Sequence, residues 1–329
     1  MGLGPGRGRI HLVMATLAAL AVAPAAAEPF PTKPVRIIVP TAAGSVTDVA
    51  VRMLAQSLAE RWGQPVLTIN RAGANGVLST EMCAKSDPDG HTLCVVSQDA
   101  MSYNVFTMPN LPYDPVRDLK PVSNLYFVIE GLIAAQSLPA RTFDEFHALA
   151  VAQPGKLNFG TMGTRTLTDT FRQWLGESWH TAFVGVPYKG GGEIITALMS
   201  GNIDVARIGV GNMAGQLDSG RLKVLTIRSG GRSPLLPDVP TMDELRLGPI
   251  PGGRPWFGLV APAGVPDTIV AQINGDVAQV FRDPKFVAFM RSQFIDPATG
   301  PVAEFAAFLA DDRARAHAMV DTYLMPRAQ

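Results

Sequence analysis

The chain carries little with which to do covalent chemistry. Of its 329 residues only two are cysteine and five histidine. No H-E-x-x-H or paired-cysteine spacing occurs, so a zinc site is not expected. No G-x-S-x-G occurs, which excludes the usual nucleophile turn of a hydrolase. His91, His147 and His180 are scattered and read as structural or exposed residues. Charge is scarce as well. Asp, Glu, Lys and Arg make up 17% of the chain, which argues for well-buried strands and helices rather than disorder. Basic and acidic residues balance, so neither nucleic acid nor an anionic lipid surface is indicated as a partner. Beyond residue 22 no stretch is long and apolar enough to span a bilayer. We expect no cofactor, no metal and no catalytic residue.

What is present begins with a leader. Arg7 and Arg9 give a positive start, Ile10 to Val22 is apolar but too short to span, and Ala25-Ala26-Ala27 fits a cleavage site. Residues 1–27 are therefore expected to be a signal peptide cut after Ala27. No cysteine lies near that boundary, so a lipoprotein is not expected. Losing Arg7 and Arg9 leaves the mature chain slightly acidic, and its length suffices for two domains. Export also permits a disulfide between Cys83, on a predicted helix, and Cys94, on the following strand. Sequence leaves open whether they bridge or remain two buried thiols.

The most telling segment is 30–62. Val35–Val39 is a short branched strand of the buried parallel kind. Pro40 ends it. Thr41, Ala42, Ala43 and Gly44 have almost no side chain, so a ligand could approach the main chain. Ser45 or Thr47 can cap the following helix, and Asp48, which suits its positive end, is counted with the loop among the candidate ligand-binding residues. Val46, Val49, Ala50, Met53, Leu54 and Leu58 make its inner face, and Gly63 and Pro65 stop it. Such a loop aims backbone N–H groups at one point, an arrangement suited to an anion. It would serve equally as an ordinary tight turn.

Further strands are predicted at 66–70, 92–97, 156–159, 203–208, 222–228 and 256–261, with helices near 77–85, 167–176, 193–200, 266–281 and 301–323. Thr142-Phe143-Asp144-Glu145 is a capping box opening another helix. The alternation implies a parallel sheet with helices on both faces. After Lys156–Phe159 comes a second small polar loop, Gly160 to Thr166, which includes Thr161, Gly163, Thr164 and Arg165. It repeats the first site's logic but lacks the Walker pattern. Two such loops facing each other would clamp one anionic group. Segment 229–254, rich in Gly and Pro, reads as a crossover back to the first unit. The expected domains are thus 28–127 with 255–329, and 128–254. Ile208 to Ala214 contains G-x-G-x-x-A after a strand, yet no acidic residue lies near 20 positions on, so a dinucleotide site is set aside.

Taken together these residues resemble the Bug-type extracytoplasmic solute receptors of tripartite tricarboxylate transport systems. The carrying pieces are FPTKPVRIIVPTAAGSVTD (30–48), GQPVLTINRAGANG (63–76), PDGHTL (88–93) and LPYDPVRDLKPVS (111–123). PGKLNFGT (154–161), VPYKGG (186–191), RSPLLPDVPT (232–241) and WFGLVAPAGVP (256–266) follow in order. Each is weak alone; their order and spacing are specific. The resemblance covers almost the whole mature chain. It implies an α/β periplasmic-binding-protein type II fold with two crossover strands and a ligand held in an interdomain cleft. It implies a periplasmic, monomeric, non-enzymatic receptor that passes a small carboxylate to membrane transporter subunits. A receptor serving a signalling partner would need the same closed form.

The family's carboxylate is held by backbone N–H groups of the two loops, often through waters, which maps here to Thr41–Ser45 and Thr161–Thr166. Three departures matter. Thr41 and Ser45 stand where an aromatic residue and a second Gly are usual. Arg165 stands where a small residue is common. Arg207 and Ile208 stand where an apolar residue is usually followed by Asp. Arg165 and Arg207 would favour a second anionic group on the ligand, unless they face solvent or pair with Asp48, Asp169 or Asp204. Tyr126, Tyr188 and Trp256 are either cleft walls or core aromatics.

Overall fold

The computed structural model describes Met1, Gly2, Gly4 and residues 30–248 and 250–323. The expected leader and its cleavage site after Ala27 lie, those three residues apart, outside the described residues. In chain order the strands are β1 (Val35–Val39), β2 (Val66–Asn70), β3 (Thr92–Ser97), β4 (Leu119–Val128), β5 (Glu130–Ala135), β6 (Asn158–Thr161), β7 (Val184–Pro187), β8 (Val205–Gly209), β9 (Leu222–Arg228), β10 (Trp256–Pro262) and β11 (Ile295–Pro297). The helices are α1 (Val46–Trp62), α2 (Val77–Ala84), α3 (Asn104–Thr107), α4 (Phe143–Ala152), α5 (Leu167–Ser178), α6 (Gly191–Met199), α7 (Asp267–Val280), α8 (Pro284–Ser292) and α9 (Val302–Tyr323).

Two sheets result. One has the order β11-β4-β10-β3-β1-β2, the other β7-β6-β8-β5-β9. Neither is wholly parallel, which corrects the sequence expectation. β1 pairs in parallel with β2 and β3, while β10 runs antiparallel to both β3 and β4. The reason is the chain path. β4 leaves the first sheet and, after Ile129 alone, becomes β5 of the second. β10 returns from the same side and must run against β4.

This topology positions the site. β1 and β3 run with β4, so their C-terminal ends lie where the chain crosses. In the second sheet β8 is antiparallel to β5 and β6 is parallel to β8, so β6 also ends at the crossing side. The loops β1–α1 and β6–α5 therefore both open toward the partner sheet. This is the usual place for a ligand in open α/β sheets. Ile129 ties the sheets together: its N–H donates to the Phe294 carbonyl (3.0 Å) and its carbonyl accepts from the Val210 N–H (2.9 Å).

The cores follow from composition. In the first sheet Ile38, Val96, Met101, Trp256, Phe305 and Leu309 cluster under α9. Gly258 permits this, because a Cβ there would lie 2.2 Å from the Phe305 ring. The α5 face of the second sheet buries Phe146, Phe159, Phe171, Trp174 and Phe183. Its other face buries Ile133, Ile194, Ile203 and Ile208. Trp256 and Tyr126 are core residues, and Tyr188 is partly buried against the second sheet. Cys83 and Cys94 form a disulfide with a Cα–Cα distance of 6.0 Å, joining α2 to β3. So short a closed loop contributes on the order of 3 kcal/mol by chain entropy.

Candidate functional site

The two loops are built alike. Ser45 caps α1, and its Oγ accepts the Asp48 N–H (3.2 Å) while donating to Thr41 Oγ1 (2.7 Å). Thr166 caps α5, and its Oγ1 accepts the Asp169 N–H (3.4 Å) while donating to the Gly163 carbonyl (2.8 Å). Three residues into each helix the carboxylate folds back on its own loop. Asp48 Oδ2 accepts the Gly44 N–H (2.8 Å), and Asp169 Oδ2 accepts the Arg165 N–H (3.1 Å). An arginine one turn on pairs with each: Arg52 Nε to Asp48 (3.0 Å) and Arg172 Nε to Asp169 (2.9 Å). Asn70 adds a further strut, donating to Asp48 Oδ1 (2.8 Å) and to the Thr41 carbonyl (3.0 Å).

Asp48 is thus a buried brace turned into its own loop. Burial would raise its pKa, but the hydrogen bonds from Arg52, Gly44 and Asn70, with the Arg52 charge, hold it below the ordinary range. The Gly44 and Arg165 N–H groups are likewise committed to these carboxylates. Both residues have positive φ, 80° and 61°. That explains why a small residue is usual at 165, since a side chain in this region costs roughly 1–2 kcal/mol. Ala42, Ala43, Gly44, Thr164 and Arg165 are exposed, Thr161 and Thr166 buried, and Thr41, Ser45 and Gly163 lie between. The Thr161 Oγ1 accepts the Gly163 N–H (3.3 Å).

Arg207 is buried, at 2% exposure. It pairs with none of the three aspartates considered from sequence. Its Nε donates to Glu130 Oε2 (2.6 Å), and its guanidinium lies over the Phe171 ring at 4.7 Å. Its Nη1 is buried without a hydrogen-bond partner among the described residues.

Asp99 joins this cluster from the segment after β3. Asn75 Nδ2 donates to it (2.9 Å), and so does the backbone N–H of Leu167, the first residue of α5. A carboxylate of the first sheet therefore sits on a helix N-terminus of the second. Tyr103 Oη adds a 2.6 Å hydrogen bond to Thr170 of α5. Burial above all, with the nearby Glu130, pushes Asp99 up to about 6, against the pull of Asn75, Leu167 and Arg207. Sequence reasoning missed Asp99 and Glu130, since no local pattern marks them. It also missed the repeat S-V-T-D (45–48) and T-L-T-D (166–169), which comparison of the two helix starts would have found.

The Asp99 shift carries a sign. Its folded pKa lies above its ordinary 3.8, so the folded state holds the proton more tightly. Stability from this group is full below about 3.8 and is lost as pH rises through about 6. Asp99→Asn keeps an acceptor oxygen for Asn75 and removes the charge. It is expected to stabilise the protein near pH 8 by on the order of 2 kcal/mol and to change little near pH 4. Urea unfolding at both pH values checks this; an equal effect at both would contradict it.

Among the described residues no group of three or more His, Cys, Asp or Glu is placed to hold a metal, and no helix is long and apolar enough to cross a membrane. Residues 50–324 match the family model described as tripartite tricarboxylate transporter family receptor. The chain is 34% identical over 298 residues to protein BugT of Bordetella pertussis, covering 88% of this chain and 89% of that one. Among solved structures it is similar to MatC from Rhodopseudomonas palustris with bound malate (28% identity, TM-score 0.80), covering 88% of this chain and 100% of that one. It is also similar to the periplasmic binding protein BugD (25% identity, TM-score 0.82), with 89% and 98% covered. The fold is that of the type II periplasmic binding proteins, and the relatives are receptors rather than enzymes. With the family model matching residues 50–324, the protein belongs to the tripartite tricarboxylate transporter receptor family.

Proposed function

We propose that this receptor captures a small dicarboxylate between its two sheets and delivers it to a tripartite tricarboxylate-type membrane transporter. The observation that carries this reading is the matched pair of braced helix N-termini, each at the crossing side of its sheet. One ligand carboxylate takes the free backbone donors of 41–45 and 161–166, where helix dipole and N–H groups add. The second lies toward the spare Nη1 of Arg207, whose guanidinium is suited to planar acids. The malate bound by MatC is of this class. In this reading 28–127 with 255–329 and 128–254 are two lobes that close on the ligand, and the leader ending near Ala27 takes the chain to the periplasm.

Thermal shift of the mature protein against carboxylates tests it. A C4–C6 dicarboxylate at about 100 times its Kd should add about 2.7 kcal/mol, a rise of several degrees. Monocarboxylates of equal length should give less. No shift with any dicarboxylate, on protein freed of carried-over ligand, would sink the proposal.

A further inference from the structure

A separate cavity of about 480 Å³ lies beside the crossover segment 250–253, and its walls contain no residue of 41–45 or 161–166. That volume is in the range of small-molecule sites. Leu167, Ile250, Met319 and Tyr323 give it a largely apolar lining. Its polar groups are unequal. Arg315 is already bound to Asp311 and to Asp312 (3.2 Å), and Asp312 is saturated further by Gln98 (3.0 Å) and Trp256 (3.0 Å). Arg228, half-buried at the end of β9, has no such carboxylate. It donates to the Pro251 carbonyl at 3.3 Å, while the neighbouring Glu130 is held by Arg207 and Asp296 by Arg254. Burial, then the adjacent Arg207 and Arg254, bring its pKa down to about 10 against the pull of Glu130 and Asp243, neither of which pairs with it. This guanidinium is short of an anion.

The geometry points to a second ligand site here, taking a monocarboxylate with an apolar body: the carboxylate on Arg228, the body against Leu167, Ile250 and Met319. Arg228 and Leu167 belong to the second sheet and its helix, Met319 to α9 on the first. A molecule in this cavity would touch elements of both sheets.

Octanoate is the probe, with octan-1-ol as its uncharged match, on full mature protein carrying labelled methionine methyl groups. Met319 reports the cavity and Met162, on the second loop, reports the cleft. Octanoate is expected to shift Met319 and leave Met162 unmoved, with octan-1-ol binding at least tenfold more weakly. Arg228→Met should erase that preference, and Arg228→Lys should keep part of it. An unmoved Met319, equal binding of the alcohol, or a shift at Met162 instead would each overturn the site. So would octanoate binding that appears only after removal of residues 324–329, since the chain's own end would then be the occupant. None of these outcomes bears on dicarboxylate binding at the loops.

Discussion

Arg207→Ala is expected to lower the stability of the unliganded protein by about 3–5 kcal/mol, because it leaves the buried Glu130 carboxylate without its partner. The pair is desolvated on both sides, with side-chain exposures of 3% and 11%. Phe171 covers the guanidinium face, so the substitution also removes a cation–π contact. In a chain of this size the loss corresponds to a melting temperature lower by roughly 5–8 °C. The cost lies in the unpaired acid and not in a missing bond alone. Arg207→Met combined with Glu130→Leu should therefore regain most of the stability. Arg207→Lys should not, since an ammonium cannot stack on Phe171 and reach Glu130 with two N–H groups. A loss below about 1 kcal/mol in the alanine variant would show the pair to be solvated.

Gly211→Ala should weaken ligand binding by about tenfold to a hundredfold with little change in the melting temperature of the unliganded protein. Gly211 follows β8, and a Cβ there would lie 2.3 Å from the Gln293 carbonyl and 2.6 Å from Val46 Cγ2. Val46 opens α1 and Gln293 follows α8, both on the first sheet, and the Gln293 contact is with backbone that cannot swing aside. The added methyl is tolerated while the sheets are apart and opposes their approach, at the 1–3 kcal/mol typical of overpacking. Gly215→Ala, with nothing within 4 Å, is the control. Isothermal titration with the best dicarboxylate decides. If Gly211→Ala instead melts earlier and binds normally, the sheets do not move against each other.

Much of the fold was legible because its signals are local. β1, β2 and β9 have the bounds expected from their branched apolar runs, and the capping box at Thr142 and Glu145 makes both of its hydrogen bonds. Small residues after β1 and β6 announced the two loops. What was not legible depends on distance in sequence. The antiparallel β10 is set by the route of the whole chain between sheets. Glu130 meets Arg207 across 77 positions, and Asp99 reaches the α5 N-terminus across 68. Arg207 read as an odd cation in a strand because its counter-ion stands on a neighbouring strand of the sheet. Asp48 read as a candidate ligand contact because a carboxylate in a first helical turn looks the same in sequence whether it meets solvent, ligand or its own loop.

The carboxylate braces behind the two loops separate what such a receptor grips from what it recognises. If the loops hold the ligand as proposed, Asp48 and Asp169 give the cradle its shape before any solute arrives, and little ordering entropy is charged against affinity. If the proposed site is right, solute preference can drift through paired substitutions at Glu130 and Arg207, at the inner ends of β5 and β8, while S-V-T-D and T-L-T-D stay as they are. A lineage could exchange one acid for another without relearning how to hold a carboxylate.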